Sequence, residues 1–233
     1  MKPLTRLRYL EAMGIDVWVP RAPVLTVSTA VAADAELAAP SSDLAAQWAK
    51  LTQEVKNCQA CGLCQSRTQT VFGVGAKTAD WLLIGEAPGQ SEDQMGEPFV
   101  GKAGQLLNEM LLAMGLQRDR VYIANMLKCR PPNNRDPQAD EIAACSGFLQ
   151  RQIALIQPKI ILAVGRIAAQ NLLQQTLPLS KLRGQVYHIQ NIPLTIVHHP
   201  SYLLRSPLEK RKAWEDLQFA NAHYRLLTQR GGA

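Results

Sequence analysis

From about Asp43 onward the chain alternates short, wholly apolar runs with longer stretches whose apolar residues recur every three or four positions. Trp81-Leu82-Leu83-Ile84 stops at Gly85, Val121 to Asn125 is a second run, and Ile160 to Val164 is a third that ends at Gly165. Leu194-Thr195-Ile196-Val197 is the last and passes directly into His198-His199-Pro200. Between these runs, Leu106, Leu107, Met110, Leu111 and Met114 predict a helix over residues 104–114. A second helix is predicted over 138–156, and a third from Gly165 to about Gln174. Val186 to Ile189 reads as an edge strand or hairpin arm. Strands without polar alternation are covered on both faces, as parallel strands flanked by helices are. The pattern therefore predicts an α/β fold, a three-layer α/β/α sandwich around a central, mostly parallel four-stranded sheet. Open sheets of this kind bind ligands beyond the carboxyl ends of their strands. Glu86, Asn125, Gly165 and His199 fall there.

The chain before Asp43 has a different texture. Residues 1–21 are basic with apolar anchors, among them Leu7, Tyr9, Leu10, Met13, Ile15, Val17 and Trp18. Residues 22–42 are rich in Ala, Pro, Ser, Val and Thr with little charge, the composition of a flexible linker. The 233 residues thus divide into a tethered partner-binding segment (1–21), a linker (22–42) and one domain (43–233).

Composition narrows the function classes only a little. An apolar content of 47% is that of a globular protein, and no apolar run is long enough to span a bilayer, so no membrane role is expected. The net charge of +6 and pI near 9.2 are compatible with a polyanionic partner, as they are with many proteins that bind none. With no apolar signal segment and cleavage site, a reducing cytosol is the expected compartment, and structural disulfides are not expected.

The cysteines change the picture more. Cys58, Cys61 and Cys64 lie close together, and Cys129 and Cys145 stand alone far downstream. Buried, inert packing would explain Cys145 but not the CxxC pair Cys58-Gln59-Ala60-Cys61. Four thiolates suit an iron–sulfur cluster or zinc, with at least one of the five cysteines left over.

The loops after the strands carry the remaining chemistry. Gly85-Glu86-Ala87-Pro88-Gly89 forms a tight turn that lacks the lysine and spacing of a P-loop. Glu92 and Asp93 follow, then Gly96-Glu97-Pro98-Phe99-Val100-Gly101-Lys102-Ala103-Gly104. A rigid Pro-Phe before a Gly-rich helix start offers an aromatic platform beside free backbone N–H groups. His198-His199-Pro200-Ser201-Tyr202-Leu203-Leu204-Arg205 reads as a ligand-facing loop with an apolar tip suited to wedging into a duplex.

The ordered motifs Gly-Glu-Ala-Pro-Gly, Pro-Phe-Val-Gly-Lys-Ala-Gly, Asn-Met-Leu-Lys-Cys-Arg-Pro-Pro and His-Pro-Ser-Tyr-Leu-Leu-Arg resemble those of the family-four, iron–sulfur uracil-DNA glycosylases. The similarity runs from about Leu51 to Leu227. It implies a monofunctional DNA glycosylase that hydrolyses the N-glycosidic bond of uracil in DNA and so starts base excision repair. Carried over residue by residue, Cys58, Cys61, Cys129 and Cys145 would hold a 4Fe–4S cluster of structural role, leaving Cys64 free. Glu86 would position or activate the attacking water, and His199 would stabilise charge on the uracil O2. Phe99 would stack on the extruded uracil and Asn125 would read its polar edge. Glu92 would crowd the place of the thymine methyl, with Ala87 also in the uracil site. Gly101, Lys102, Gly104, Ser201 and Arg205 would contact DNA, and Tyr202 or Leu203 would fill the vacated stack. His198 precedes the motif histidine and has no assigned role. The resemblance places such a chain in the bacterial cytoplasm, on the nucleoid.

Residues 7–21, outside that pattern, resemble the N-terminal peptide of the psi subunit of the bacterial DNA polymerase III clamp loader, with Ile15 and Trp18 as anchors and arginines nearby. This implies clamp-loader subunits as partners. Two other readings compete with the enzyme: a replisome adaptor whose glycosylase-like domain binds DNA with little catalysis, and a zinc-bound nucleic-acid module.

Overall fold

The structure is a computed structural model, and it describes residues 42–230. The expected segment 1–21 and the linker up to residue 41 lie outside the described residues, and Ser42 opens a helix.

Six strands form one sheet: β1 (Val74–Gly75), β2 (Trp81–Gly85), β3 (Tyr122–Asn125), β4 (Ile160–Val164), β5 (Tyr187–Ile189) and β6 (Ile192–Val197), in the order β1-β3-β2-β4-β6-β5. The four strands foreseen in the sequence run parallel at the centre, with Gly85 opposite Asn125, Leu83 opposite Leu162 and Val164 opposite Val197. Two short antiparallel edge strands, β1 and β5, extend the sheet from four strands to six. The two residues of β1 carry too little pattern to be visible beforehand.

Strand periodicity sorts the side chains onto two faces. Leu82, Ile84, Tyr122, Ala124, Ile161, Ala163, Leu194 and Ile196 point one way. They pack against Trp48 of α1 (Ser42–Lys56), against Leu149, Ile153 and Ile156 of α4 (Ala139–Ile156), and against Ala168 and Ala169 of α5 (Arg166–Leu173). Trp81, Leu83, Ile123, Ile160, Leu162, Val164 and Val197 point the other way. Leu107, Met110 and Leu111 of α3 (Lys102–Ala113) cover them, together with Leu203 of α7 (Pro200–Arg205) and Ala213, Leu217 and Ala220 of α8 (Lys210–Arg230). The two remaining helices, α2 (Gln90–Met95) and α6 (Leu179–Leu182), are short. The result is the three-layer α/β/α sandwich, with α3, α4 and α5 each within two residues of its predicted bounds.

Local chemistry fixes the helix ends. The α4 helix begins with a capping box in which Gln138 and Glu141 exchange side-chain and backbone hydrogen bonds, and Gln157 ends it in the left-handed conformation. The carboxyl ends of β2, β3, β4 and β6 all open on the same side, because the strands are parallel.

Candidate active site and thiol cavity

A cavity of about 840 Å³ lies beyond those carboxyl ends. Glu86, Ala87, Glu92, Phe99, Asn125, His199, Ser201, Tyr202 and Arg205, all predicted from sequence, line it together.

Its deepest part depends on what Gly85 lacks. A Cβ at that position would stand 2.3 Å from Asn125 Oδ1 and 2.9 Å from the Phe99 ring, so only glycine lets these two side chains close on the slot. Asn125 is 2% exposed, and its Oδ1 has no hydrogen-bond partner. A buried acceptor left unmet costs on the order of 1–3 kcal/mol, and because Asn125 lines the cavity a ligand there can supply the donor. Phe99 sits at φ 53°, an uncommon conformation for a large residue. Close packing holds it there: a Cβ on Gly104 would lie 1.8 Å from the Phe99 carbonyl oxygen, and Arg118 donates to the Pro98 carbonyl at 2.5 Å.

Two groups have displaced protonation equilibria. Burial, with the Asp136 charge adding to it and Arg166 opposing both, pushes the Glu86 carboxyl up to about 7. Burial pushes His199 down to about 4, helped by the Arg205 charge and opposed by Glu92. His199 Nδ1 accepts from the Ser201 backbone N–H at 3.1 Å, capping α7. That bond assigns the proton of the neutral ring to Nε2, leaving it as a donor. The Phe99 and His199 rings stand 5.6 Å apart at 31°. Gly165, at φ 96°, passes so close that a Cβ there would meet His199 Cβ at 2.8 Å.

Several expectations for the DNA-contacting residues need correction. Leu203 is 1% exposed and belongs to the core beneath α7, so it cannot leave the protein to fill a base stack. Its neighbour Leu204 is 44% exposed. Gly104 is buried against the Phe99 backbone and serves packing, not phosphate contact. The Gly101 N–H is already donated to Glu92 Oε1 at 3.1 Å, and Val100 N–H to the same oxygen at 3.0 Å. Glu92 therefore anchors this turn as well as lining the cavity. Lys102 remains exposed.

Sequence reasoning missed Asn134, Asp136, Arg166 and Arg183, all of which line the cavity. Arg166 was within reach, because it directly follows the strand-ending Gly165. Asn134 follows Pro131-Pro132-Asn133 at φ 53°, a turn signal that carries no chemistry by itself.

A second, separate cavity holds Cys58, Cys61, Cys64, Cys129 and Cys145, with Val55, Ala60, Ala144 and Phe148 as apolar walls. All five thiols are free. Arg67 donates to Cys129 Sγ at 3.0 Å and the Lys128 backbone N–H to Cys145 Sγ at 3.3 Å. Burial pushes the Cys129 thiol up and that of Cys145 to about 11. Among the described residues no three His, Cys, Asp or Glu side chains close on one point as a single ion requires. The donor set is all sulfur, spread around an apolar space, with N–H donors to two sulfurs. That fits a thiolate-held metal centre.

One segment serves both cavities. Asn125 ends β3 in the slot, and Cys129 follows four residues later. Between them, the fully buried Lys128 donates its ammonium to the Asn125 carbonyl at 2.8 Å and to Gln152 Oε1 at 2.6 Å. Gln152 in turn donates to the Phe72 carbonyl at 3.0 Å.

Strand-end turns thus present a carboxyl group, an amide and a neutral histidine to one deep slot of an α/β protein. Residues 72–218 match the family model described as the uracil DNA glycosylase superfamily. The chain is 43% identical over 165 residues to the type-4 uracil-DNA glycosylase of Archaeoglobus fulgidus, covering 67% of this chain and 83% of that one. It is 42% identical over 178 residues to the type-4 enzyme of Sulfurisphaera tokodaii, with 72% and 81% covered. To that of Thermotoga maritima it is 40% identical over 176 residues, with 74% and 92% covered. The chain belongs to the uracil-DNA glycosylase superfamily.

Proposed function

We propose that this chain is a monofunctional uracil-DNA glycosylase, hydrolysing the bond between uracil and deoxyribose in DNA. The observation that carries the reading is the unmet, buried Asn125 Oδ1 at the bottom of a slot walled by Phe99. Uracil presents an N3–H donor beside the O4 acceptor, the pattern one carboxamide satisfies; cytosine reverses it at both positions. Phe99 supplies the stacking face, and Glu92 takes the space beside C5 where thymine carries a methyl group.

The target nucleotide leaves the stack, at a cost of a few kcal/mol. Glu86, in its ionised form, orients water toward C1′ and accepts its proton. As the C1′–N1 bond breaks, its electron pair departs with the base, and His199 Nε2–H meets the charge gathering on O2. A neutral imidazole suits this task, because it donates without placing a full cation in the slot. Lys102 and Arg205 contact phosphates, and the exposed Leu204 fills the vacated stack.

Cys58, Cys61, Cys129 and Cys145 hold a 4Fe–4S cluster, and Cys64 is the spare thiol at the same cavity. The cluster supplies a structural tie, and no step of hydrolysis passes through it. Residues 1–21 carry the chain to clamp-loader subunits, a reading supported by sequence resemblance alone, and the protein works on the bacterial nucleoid in the cytoplasm. Pull-down of those subunits by residues 1–25, lost with Trp18→Ala, tests the tether.

The deciding experiment incubates the protein with single- and double-stranded oligonucleotides carrying uracil, cytosine or thymine, followed by alkaline cleavage of abasic sites. Cleavage at uracil alone is expected. Intact uracil strands with fully coloured protein would instead favour a DNA-binding adaptor.

A further inference from the structure

The cavity extends well past the slot that one base fills, and its outer part is furnished. There the Tyr202 ring lies on the His198 imidazole, with centroids 5.6 Å apart and planes 14° from parallel. His198 is 7% exposed and confined by α8 and the turn before it: Nδ1 is 3.5 Å from Asp216 Oδ2, and Nε2 is 3.8 Å from Glu209 Oε2. Neither contact is a hydrogen bond, since Nδ1 has no hydrogen-bond partner and Nε2 lies too far from Glu209, so packing holds the ring. Tyr202, backed in this way, remains 39% exposed.

The cations of this region differ in what they are free to do. Arg183 is committed to Asp216 at 2.7 Å and to the Lys212 carbonyl at 2.6 Å. Lys212 pairs with Glu209 at 2.9 Å. Arg205 makes no ion pair among the described residues, and it lines the cavity beside Tyr202. A backed aromatic ring next to an unpaired guanidinium is the pairing by which proteins hold one base and one phosphate of a single strand.

We propose that the outer cavity is a second nucleotide subsite, in which the base adjoining the target uracil on the same strand stacks on Tyr202 while Arg205 holds the intervening phosphate. His198 then acts as a positioning residue that backs the Tyr202 ring. The proposal rests on the glycosylase reading and adds to it that the unit recognised is a dinucleotide of single-stranded DNA.

The test uses the full, cluster-loaded chain and single-stranded oligonucleotides with one uracil. Its neighbour is either a normal nucleotide or an abasic analogue, placed 5′ or 3′. With normal neighbours, Tyr202→Ala should lower kcat/KM by about fivefold or more, the lower end of base–aromatic stacking, and Tyr202→Phe should rescue it. With the abasic analogue on one of the two sides, the Tyr202→Ala defect should vanish. An equal defect on every substrate would overturn the proposal, as would a defect seen only when the same strands are annealed into duplex, which points to a base of the opposite strand. Binding gives a readout independent of turnover. A 2-aminopurine neighbour should be quenched by wild type and not by Tyr202→Ala; absent quenching sinks the subsite. Absent uracil excision with quenching intact sinks only the glycosylase reading.

Discussion

The slot around Glu86 and the cavity around the cysteines lie at opposite ends of one short segment, Asn125 to Cys129, yet they are built on opposite rules. The slot is open to solvent and keeps groups available: a bare amide oxygen, a carboxyl pushed up to about 7 and a histidine held neutral. The thiol cavity is walled by Val, Ala and Phe and gives two of its sulfurs N–H donors from Arg67 and Lys128. The first is incomplete until substrate arrives. The second already pairs two of its sulfurs within the protein. Catalysis requires groups that remain available, whereas a structural centre requires groups that are already committed.

Substitutions in each region should separate these rules. The largest effect belongs to the slot: Glu86→Gln and His199→Ala should each lower uracil excision by about 10²–10⁴-fold with visible absorbance unchanged. Loss of colour along with activity would merge the two regions. Next, Cys129→Ser should lose the colour and lower the melting temperature, while Cys64→Ser keeps both. Because Cys64 shares the cavity with the other four thiols, iron content per chain is the measurement that decides between them. Gly85→Ala should cost about 10²-fold in kcat/KM, since a methyl 2.3 Å from Asn125 Oδ1 displaces the amide, and the cluster should be spared.

The smallest effect is thermodynamic. With its carboxyl raised from 4.5 to about 7, folded protein binds more protons than unfolded chain across that window, so Glu86 lowers stability as pH rises. His199, lowered from 6.5 to about 4, has the opposite slope over much of the same range. The two largely offset each other in the wild type. In Glu86→Gln only the histidine slope remains, so its melting temperature should climb relative to wild type between pH 4.5 and 6.5. Parallel profiles in a calorimetric series would contradict the burial of Glu86. The activity of wild type should rise through about pH 7 as Glu86 ionises.

The sheet was legible because its four central strands are apolar on both sides, and buried parallel strands have no other pattern. Glu86, Phe99, Asn125 and His199 were legible because strand ends and glycine turns announce them. What stayed hidden depends on tertiary contact. Nothing local distinguishes Leu203 from Leu204, yet one is core and the other surface, because α7 lies flat against the sheet. Nor could sequence show that the Gly101 N–H is taken by Glu92, nine residues away. His198 acquired a context only when Tyr202, Asp216 and Glu209 came around it.

The buried Lys128 ties the two regions mechanically. Its ammonium is bonded to the carbonyl of Asn125, and its own backbone N–H to Cys145. Loss of order around Cys145 should therefore loosen the Asn125 backbone, whereas a side-chain change inside the slot leaves both of these bonds in place. On heating, the absorbance expected of a thiol-held cluster and the affinity for uracil should disappear on a single time course, so that absorbance would serve as a clock for the remaining ability to read a base.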